Sequence, residues 1–194
     1  MTQPEEIDSS RRGVILAAAA QVFLRFGYKR SSMGDLAKAA GLSRQGLYLH
    51  YESKDELFRA AVDWVIEQTT SAYRDALART ELTPLERLLG AFDALHGCTI
   101  GQVSELYVAE LLETTTTLVG NAPMELERQF IDDITRVLNE VARTRAMPHH
   151  RVPPRDVAEV LTATSFGLKH RVQTPAAYRE RMVMALHMAL GDKA

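Results

Sequence analysis

The stretch Gly27–Lys54, GYKRSSMGDLAKAAGLSRQGLYLHYESK, constrains this chain most, because three helix starts and one enforced stop fall within it. Ser32 precedes Met33-Gly34-Asp35, so its hydroxyl can cap a helix whose third residue is a carboxylate. Leu36, Ala37 and Ala40 then share one helical face, and Lys38 lies on another. Gly41 follows, where a helix ends in a left-handed residue that glycine adopts at little cost. Ser43 caps a second helix, Arg44 to about Tyr51, anchored inward by Leu47. Ser53-Lys54-Asp55-Glu56 is a Ser-x-x-Glu capping box that opens a third, longer helix. Helix, tight glycine turn, helix is the helix-turn-helix pattern. Its second helix should present Arg44, Gln45, Tyr48 and His50 outward, side chains suited to base edges and phosphates.

At these residues the chain resembles the DNA-binding domain of the TetR (tetracycline-repressor-like) family of bacterial transcriptional regulators. The resemblance runs from about Arg12 to Phe58. It includes Phe23, Phe26 and Gly27, the run Asp35-Leu36-Ala37-x-x-Ala40-Gly41-Leu42-Ser43, and Gly46-x-Tyr48-x-x-Tyr51 with Ser53-Lys54-x-x-Leu57-Phe58. Gly34 departs from it, at about 1 kcal/mol relative to Ala inside a helix. Tyr51 stands where the family usually has Phe. Beyond about residue 75 only the general all-helical layout is shared. The resemblance implies a homodimer on palindromic DNA, in which the last two helices of each protomer pair with their symmetry mates as a four-helix bundle. It also places Tyr48 and Lys54 at family positions that touch the DNA backbone. The expected DNA-binding set is Ser32, Ser43, Arg44, Gln45, Gly46, Tyr48, His50 and Lys54. Arg44 and Gln45 head the recognition helix, where Arg suits guanine and Gln suits adenine. Lys54, Ser32 and Ser43 stand at helix starts whose free amides favour anions.

Net charge is −2, which alone argues against a nucleic-acid binder. Its distribution argues the other way. Between Arg11 and Lys54, eight basic residues face only Asp35 and Glu52, a net of +6, whereas residues 55–194 carry −5 and the first ten −3. A basic head on an acidic body suits a phosphate-binding domain joined to something else. Hydrophobic content of 46% with 25% charged residues is ordinary for a soluble globular protein. The longest uncharged run, Gly13 to Leu24, is too short to span a bilayer, and no signal peptide is visible, so the expected location is the cytoplasm. The lone cysteine, Cys98, cannot form an internal disulfide and agrees with a reducing compartment.

Along the chain, residues 1–8 read as disordered, and a first helix is expected from Ser10 to Phe26. The helix from Lys54 should reach about Leu77, and Thr83-Pro84 starts another with Pro in its first turn. A stripe through Leu85, Leu88, Leu89, Phe92 and Leu95 is interrupted at 96–101 and resumes through Val103, Leu106, Tyr107, Leu111 and Leu118. Gly120-Asn121-Ala122-Pro123 reads as a loop. A long amphipathic helix follows to just before Pro148, with further helices from Pro154 to about Val172 and from Pro175 to Gly191. The fold class is therefore all-α, about nine or ten helices. It divides into a three-helix helix-turn-helix DNA-binding domain at 9–54 and an effector-binding and dimerisation domain at 55–194.

Met182–Leu190 is apolar on all sides except His187, so both sides of this terminal helix must be covered. Phe166, Gly167, Met182, Leu186 and Leu190 are accordingly expected at the dimer interface. The effector pocket is expected among Phe92, Cys98, Tyr107, Glu110, Leu111, Phe130 and Phe166, which fall on or near inward stripes and equally suit a plain core. Few charges interrupt those stripes, so the expected effector is apolar or aromatic, with Glu110 able to admit a cationic one. The run Thr114–Thr117 suits a polar pocket wall or a frayed helix end.

Other chemistry is sparse. There is no Gly-rich phosphate loop, His-Glu-x-x-His, Cys-x-x-Cys or Gly-x-Ser-x-Gly, so neither an enzyme, a cofactor nor a metal site is expected. His149-His150, beside prolines, reads as a solvent-exposed pair, and Cys98 as a small hydrophobe rather than a redox sensor. The function expected is a ligand-responsive transcriptional regulator, most often a repressor in this family, released from DNA by a small molecule. The alternative is a helical homodimer that binds small molecules or partners without DNA.

Overall fold

The structure, a computed structural model, describes residues 4–101, 107–144 and 152–191. Those residues form nine α-helices and a single 3-10 turn, with no strand among them. The helices are α1 (Pro4–Phe26), α2 (Met33–Ala39), α3 (Arg44–Tyr48), α4 (Lys54–Ala78), α5 (Pro84–Leu95), α6 (Val108–Val119), α7 (Ala122–Thr144), α8 (Pro154–Lys169) and α9 (Pro175–Leu190), with the 3-10 turn at Gly97–Thr99. The all-α reading holds.

The chain folds as two compact units. The head comprises Met1–Glu67 and Gln102–Pro123, and the body Gln68–Gly101 and Met124–Ala194. This grouping differs from a cut at residue 54. The first turns of α4 supply Leu57, Phe58 and Ala61, all nearly inaccessible, to the same core as Ile15, Phe23, Leu36 and Leu47. Leu111, Leu118 and Val119 of α6 also pack on that core. Phe23, Tyr28 and Phe58 close it with ring contacts of 5.0–5.9 Å. The body core gathers Tyr73 of α4, Leu88 and Phe92 of α5, Phe130, Ile134 and Leu138 of α7, Ala158 and Leu161 of α8, and Tyr178, Met182 and Leu186 of α9.

Four local expectations change. α1 begins at Pro4, so residues 4–8, read as disordered, are helical. α3 ends at Tyr48, short of Tyr51. The loop after α6 is only Gly120 and Asn121, because Pro123 is accommodated in the first turn of α7. The fourth change concerns α9. Met182, Leu186 and Leu190, expected at the dimer interface, belong to the protomer's own core, the first two with no exposed surface. The outward side of the same helix carries Met184 and Met188, and α8 adds Val160 and Phe166. A helix apolar all round has two faces to cover, and the residues chosen from the sequence were those of the inner one.

Candidate nucleic-acid interface

Helix caps set the geometry of the head. Ser32 Oγ accepts the Asp35 N–H at 3.2 Å, while the Asp35 carboxylate accepts the Ser32 N–H at 3.0 Å, a complete capping box. The Ser32 hydroxyl, donating to the carboxylate at 2.6 Å, and then the Ser32 N–H hold the Asp35 carboxyl below its ordinary range. α2 stops at Gly41, whose φ of +69° is open to glycine and strained for other residues. Ser43 Oγ then accepts the Gly46 N–H at 2.9 Å and starts α3. A Cβ at residue 46 would sit 3.2 Å from that Oγ, so glycine leaves the cap undisturbed. Leu47 is fully buried, which turns Arg44, Gln45, Tyr48 and His50 to the exposed side. The Arg44 guanidinium lies 5.7 Å from the Tyr48 ring centroid, a cation–π pair that prearranges both side chains. Of the expected DNA-binding residues, six lie at the α2 and α3 N-caps and along α3, and His50 lies in the turn that follows α3.

Lys54 is placed differently from the other seven. Its Nζ donates to the carbonyls of Tyr28 at 3.0 Å and Ser31 at 3.1 Å, and it sits 4.1 Å from the Tyr28 ring centroid. Beside it the Tyr28 hydroxyl donates to Asp55. Burial, with Asp55 adding to it, pushes the Tyr28 hydroxyl up to about 12. Two of the three ammonium protons thus brace the turn between α1 and α2. In the next cap Ser53 Oγ accepts the Glu56 N–H at 3.1 Å, but the Glu56 carboxylate reaches back to the N–H of Glu52 instead of Ser53.

The same turn is held from the other side by α6. The Glu110 carboxylate accepts the Lys29 N–H at 2.6 Å, Arg30 donates to the Tyr107 hydroxyl at 3.0 Å, and Arg59 Nε donates to the Leu118 carbonyl at 3.0 Å. Gly27, φ +78°, lets the chain pass this close: a Cβ there would lie 3.1 Å from both Glu110 Oε1 and the Tyr107 ring. Tyr28, Asp55, Tyr107 and Glu110 are positioning residues that sequence reasoning missed, since the partners stand 27 to 81 residues apart and no periodicity joins them.

The expected pocket residues divide between the two units. Tyr107, Glu110 and Leu111 pack within the head. Phe92 and Phe130 are fully buried in the body, edge to face at 5.1 Å. Phe166 is half-exposed on α8 between His170 at 4.8 Å and His96 at 6.1 Å. The side chain of Cys98 and the pair His149-His150 lie outside the described residues. Thr114 is buried within an intact α6, and Thr116 and Thr117 donate to the carbonyls four residues back, so the threonine run is not a frayed end.

The body interior instead contains a polar chain. Tyr178 donates to the Phe92 carbonyl at 3.1 Å, Ser165 Oγ lies 2.5 Å from Tyr178, and His96 Nδ1 lies 2.7 Å from Ser165. With Tyr178 donating onward, Ser165 donates to Tyr178 and His96 donates through Nδ1–H, which fixes a neutral Nδ1–H tautomer. Burial, with the charges of Lys169 and His170 adding to it, pushes the His96 imidazole down to about 3. A second buried group, Asp133, accepts from Tyr73 at 3.0 Å, Arg74 at 2.9 Å and Arg136 at 2.6 Å. Among the described residues no cluster of three or more His, Cys, Asp or Glu is placed to hold a metal, and no helix is long and apolar enough to cross a membrane.

Residues 15–61, the segment whose caps and core have just been described, match the family of bacterial regulatory proteins designated tetR. Over these residues the chain is similar to the tetR family. Over 90 residues it is 40% identical to the HTH-type transcriptional repressor KstR2 of Mycobacterium tuberculosis, covering 44% of this chain and 42% of that protein. Over 84 residues it is 39% identical to the HTH-type transcriptional activator FasR of Mycolicibacterium smegmatis, covering 43% and 38%. Each match therefore spans about two fifths of the relative's length. The fold is also that of AibR in its complex with isovaleryl coenzyme A and operator DNA, at a TM-score of 0.65 and 18% identity over 94% of this chain and 100% of that one. At that identity the likeness shows the tetR-type all-helical fold.

Proposed function

We propose that the protein is a DNA-binding transcriptional regulator that reads a palindromic operator as a homodimer and is released by a small-molecule effector. What carries this reading is α3, where one fully buried leucine anchors a five-residue helix with Arg44, Gln45 and Tyr48 exposed, within a segment, residues 11–54, of net charge +6. Arg44 and Gln45 would meet base edges, Tyr48 and the remaining Lys54 proton would meet phosphates, and His50 would flank them. Dimerisation would use the outward faces of α8 and α9, with Val160, Phe166, Met184 and Met188. The relatives include a repressor and an activator, so repression is the family's commoner mode carried over to this chain.

The effector would bind the body, whose interior is largely apolar, its buried polar groups among the described residues including the His96–Ser165–Tyr178 chain, Thr162, and Asp133 with its partners. This favours an apolar or aromatic ligand with one hydrogen-bonding group. Glu110, whose carboxylate already accepts the Lys29 N–H, gives no support to a cationic one. α4 contributes residues to head and body alike, and it is the natural carrier of the switch. The test is enrichment of genomic DNA fragments on the purified protein, followed by gel shift. A palindromic sequence bound at least a thousandfold tighter than random DNA is expected. Binding without sequence preference would refute the reading.

A further inference from the structure

The recognition helix carries one side chain that neither the charge pattern nor the family resemblance assigned. Leu49 is 84% exposed, more than any other large hydrophobic side chain among the described residues. It forms the C-cap of α3 with helical dihedrals, φ −71° and ψ −20°, and its N–H donates to the Gln45 carbonyl at 3.3 Å. It therefore continues the helical screw of about 100° per residue. Counted from the buried Leu47, both Gln45 and Leu49 fall within about 20° of the opposite side, so the two form the outermost ridge of the helix. Arg44 and Tyr48 pair with each other to one side of this ridge. On the other side Gly46 has no side chain to hold a facing surface away.

A solitary exposed leucine on a protein surface needs no explanation. One at the crest of a short basic helix, in line with a glutamine, has a specific complement. The floor of the major groove offers donors and acceptors everywhere except at the thymine 5-methyl group, its one apolar feature. We propose that Leu49 is a specificity-determining residue that packs on a thymine methyl. That thymine lies one or two base pairs from the base met by Gln45, since residues four apart on a helix are separated by about 6 Å along its axis. The inference rests on the DNA-binding reading above and adds to it a position whose readout is apolar.

The probe is the duplex that the full-length protein selects from a random DNA pool. Each thymine of a half-site is replaced in turn by uracil, which removes the methyl and leaves every hydrogen-bonding group in place. For the unmodified protein, uracil at one position per half-site should weaken binding about fourfold, the effect of one methylene-sized group losing its cover. Leu49→Ala should bind the thymine duplex correspondingly more weakly and lose the difference between thymine and uracil. Leu49→Met, still long and apolar, should keep it. Indifference of the unmodified protein to uracil at every position would overturn the proposal and leave the DNA-binding reading intact, as would Leu49→Ala that discriminates as before. Failure to enrich any sequence would overturn both. Leu49 is exposed and outside the head core, so helix content and melting temperature of the variants should match those of the parent.

Discussion

In the helix-turn-helix segment of the head, the polar groups that start each helix stand three residues from their partners: Ser32 with Asp35, Ser43 with Gly46, Ser53 with Glu56. In the body, the corresponding groups are buried and come from distant helices, as in His96 with Ser165 and Tyr73 with Asp133, 69 and 60 residues apart. A cap bond at the surface exchanges with water and contributes roughly 1 kcal/mol, so its loss is modest. A buried group that loses its partner keeps its desolvation penalty, so the same kind of change in the body is far more damaging. The helix starts of the head thus rest on local and individually replaceable bonds, whereas the buried polar groups of the body depend on the completed fold.

The largest test of this contrast lies on α9, where one helix has a core face and an outward face. Leu186→Glu places a charge at a fully buried position and should remove more than about 4 kcal/mol, unfolding the body. Met188→Glu, on the outward face, should leave helix content and melting nearly unchanged while converting dimer to monomer and abolishing tight binding to the palindrome. Circular dichroism with light scattering separates the two, and a Met188→Glu protein that stays dimeric would reject the interface proposed.

A somewhat smaller effect is expected on acidification. The folded pKa of His96, about 3, lies below the ordinary value of 6.5. The unfolded chain therefore takes up this proton first as pH falls. Stability from the neutral imidazole is complete above about pH 6.5 and is lost on the way down toward pH 3. Between pH 6.5 and 5 the loss should be about 1 kcal/mol per pH unit. Denaturant melts should show that slope in the parent and a flatter one in His96→Gln, which starts less stable. Equal slopes would place the sensitivity elsewhere.

In the head, Arg44→Ala or Gln45→Ala should weaken specific binding by roughly 1–3 kcal/mol and relax preference at one base per half-site. Equal loss on operator and random DNA would contradict base reading. Lys54→Ala separates its two roles: loss of the brace on Tyr28 and Ser31 lowers the melting temperature, and loss of a phosphate partner lowers the salt slope by about one unit. A lower melting temperature with an unchanged slope would make it a positioning residue alone.

The smallest effect is expected at Tyr51. Its ring fills the head core, yet its buried hydroxyl has no hydrogen-bond partner among the described residues. Tyr51→Phe should stabilise the head by up to about 1 kcal/mol, read as a rise in melting temperature. A fall would mean that the hydroxyl has a favourable partner after all.

The sequence by itself determined what depends on neighbours within a turn or two. The caps Ser32, Ser43 and Ser53, the glycine stop at Gly41, the anchor Leu47 and the exposed Arg44, Gln45 and Tyr48 were all legible, because capping and helical periodicity act over three or four residues. Only the tertiary structure decided which side of an all-apolar helix faces inward, since Met182 and Met184 look alike until α5 and α8 are in place around them. It likewise decided that Tyr107 and Glu110 bond to the turn between α1 and α2, and that Lys54 braces that turn. Those assignments follow from hydrogen bonds and packing between segments far apart in the chain, which no local pattern encodes.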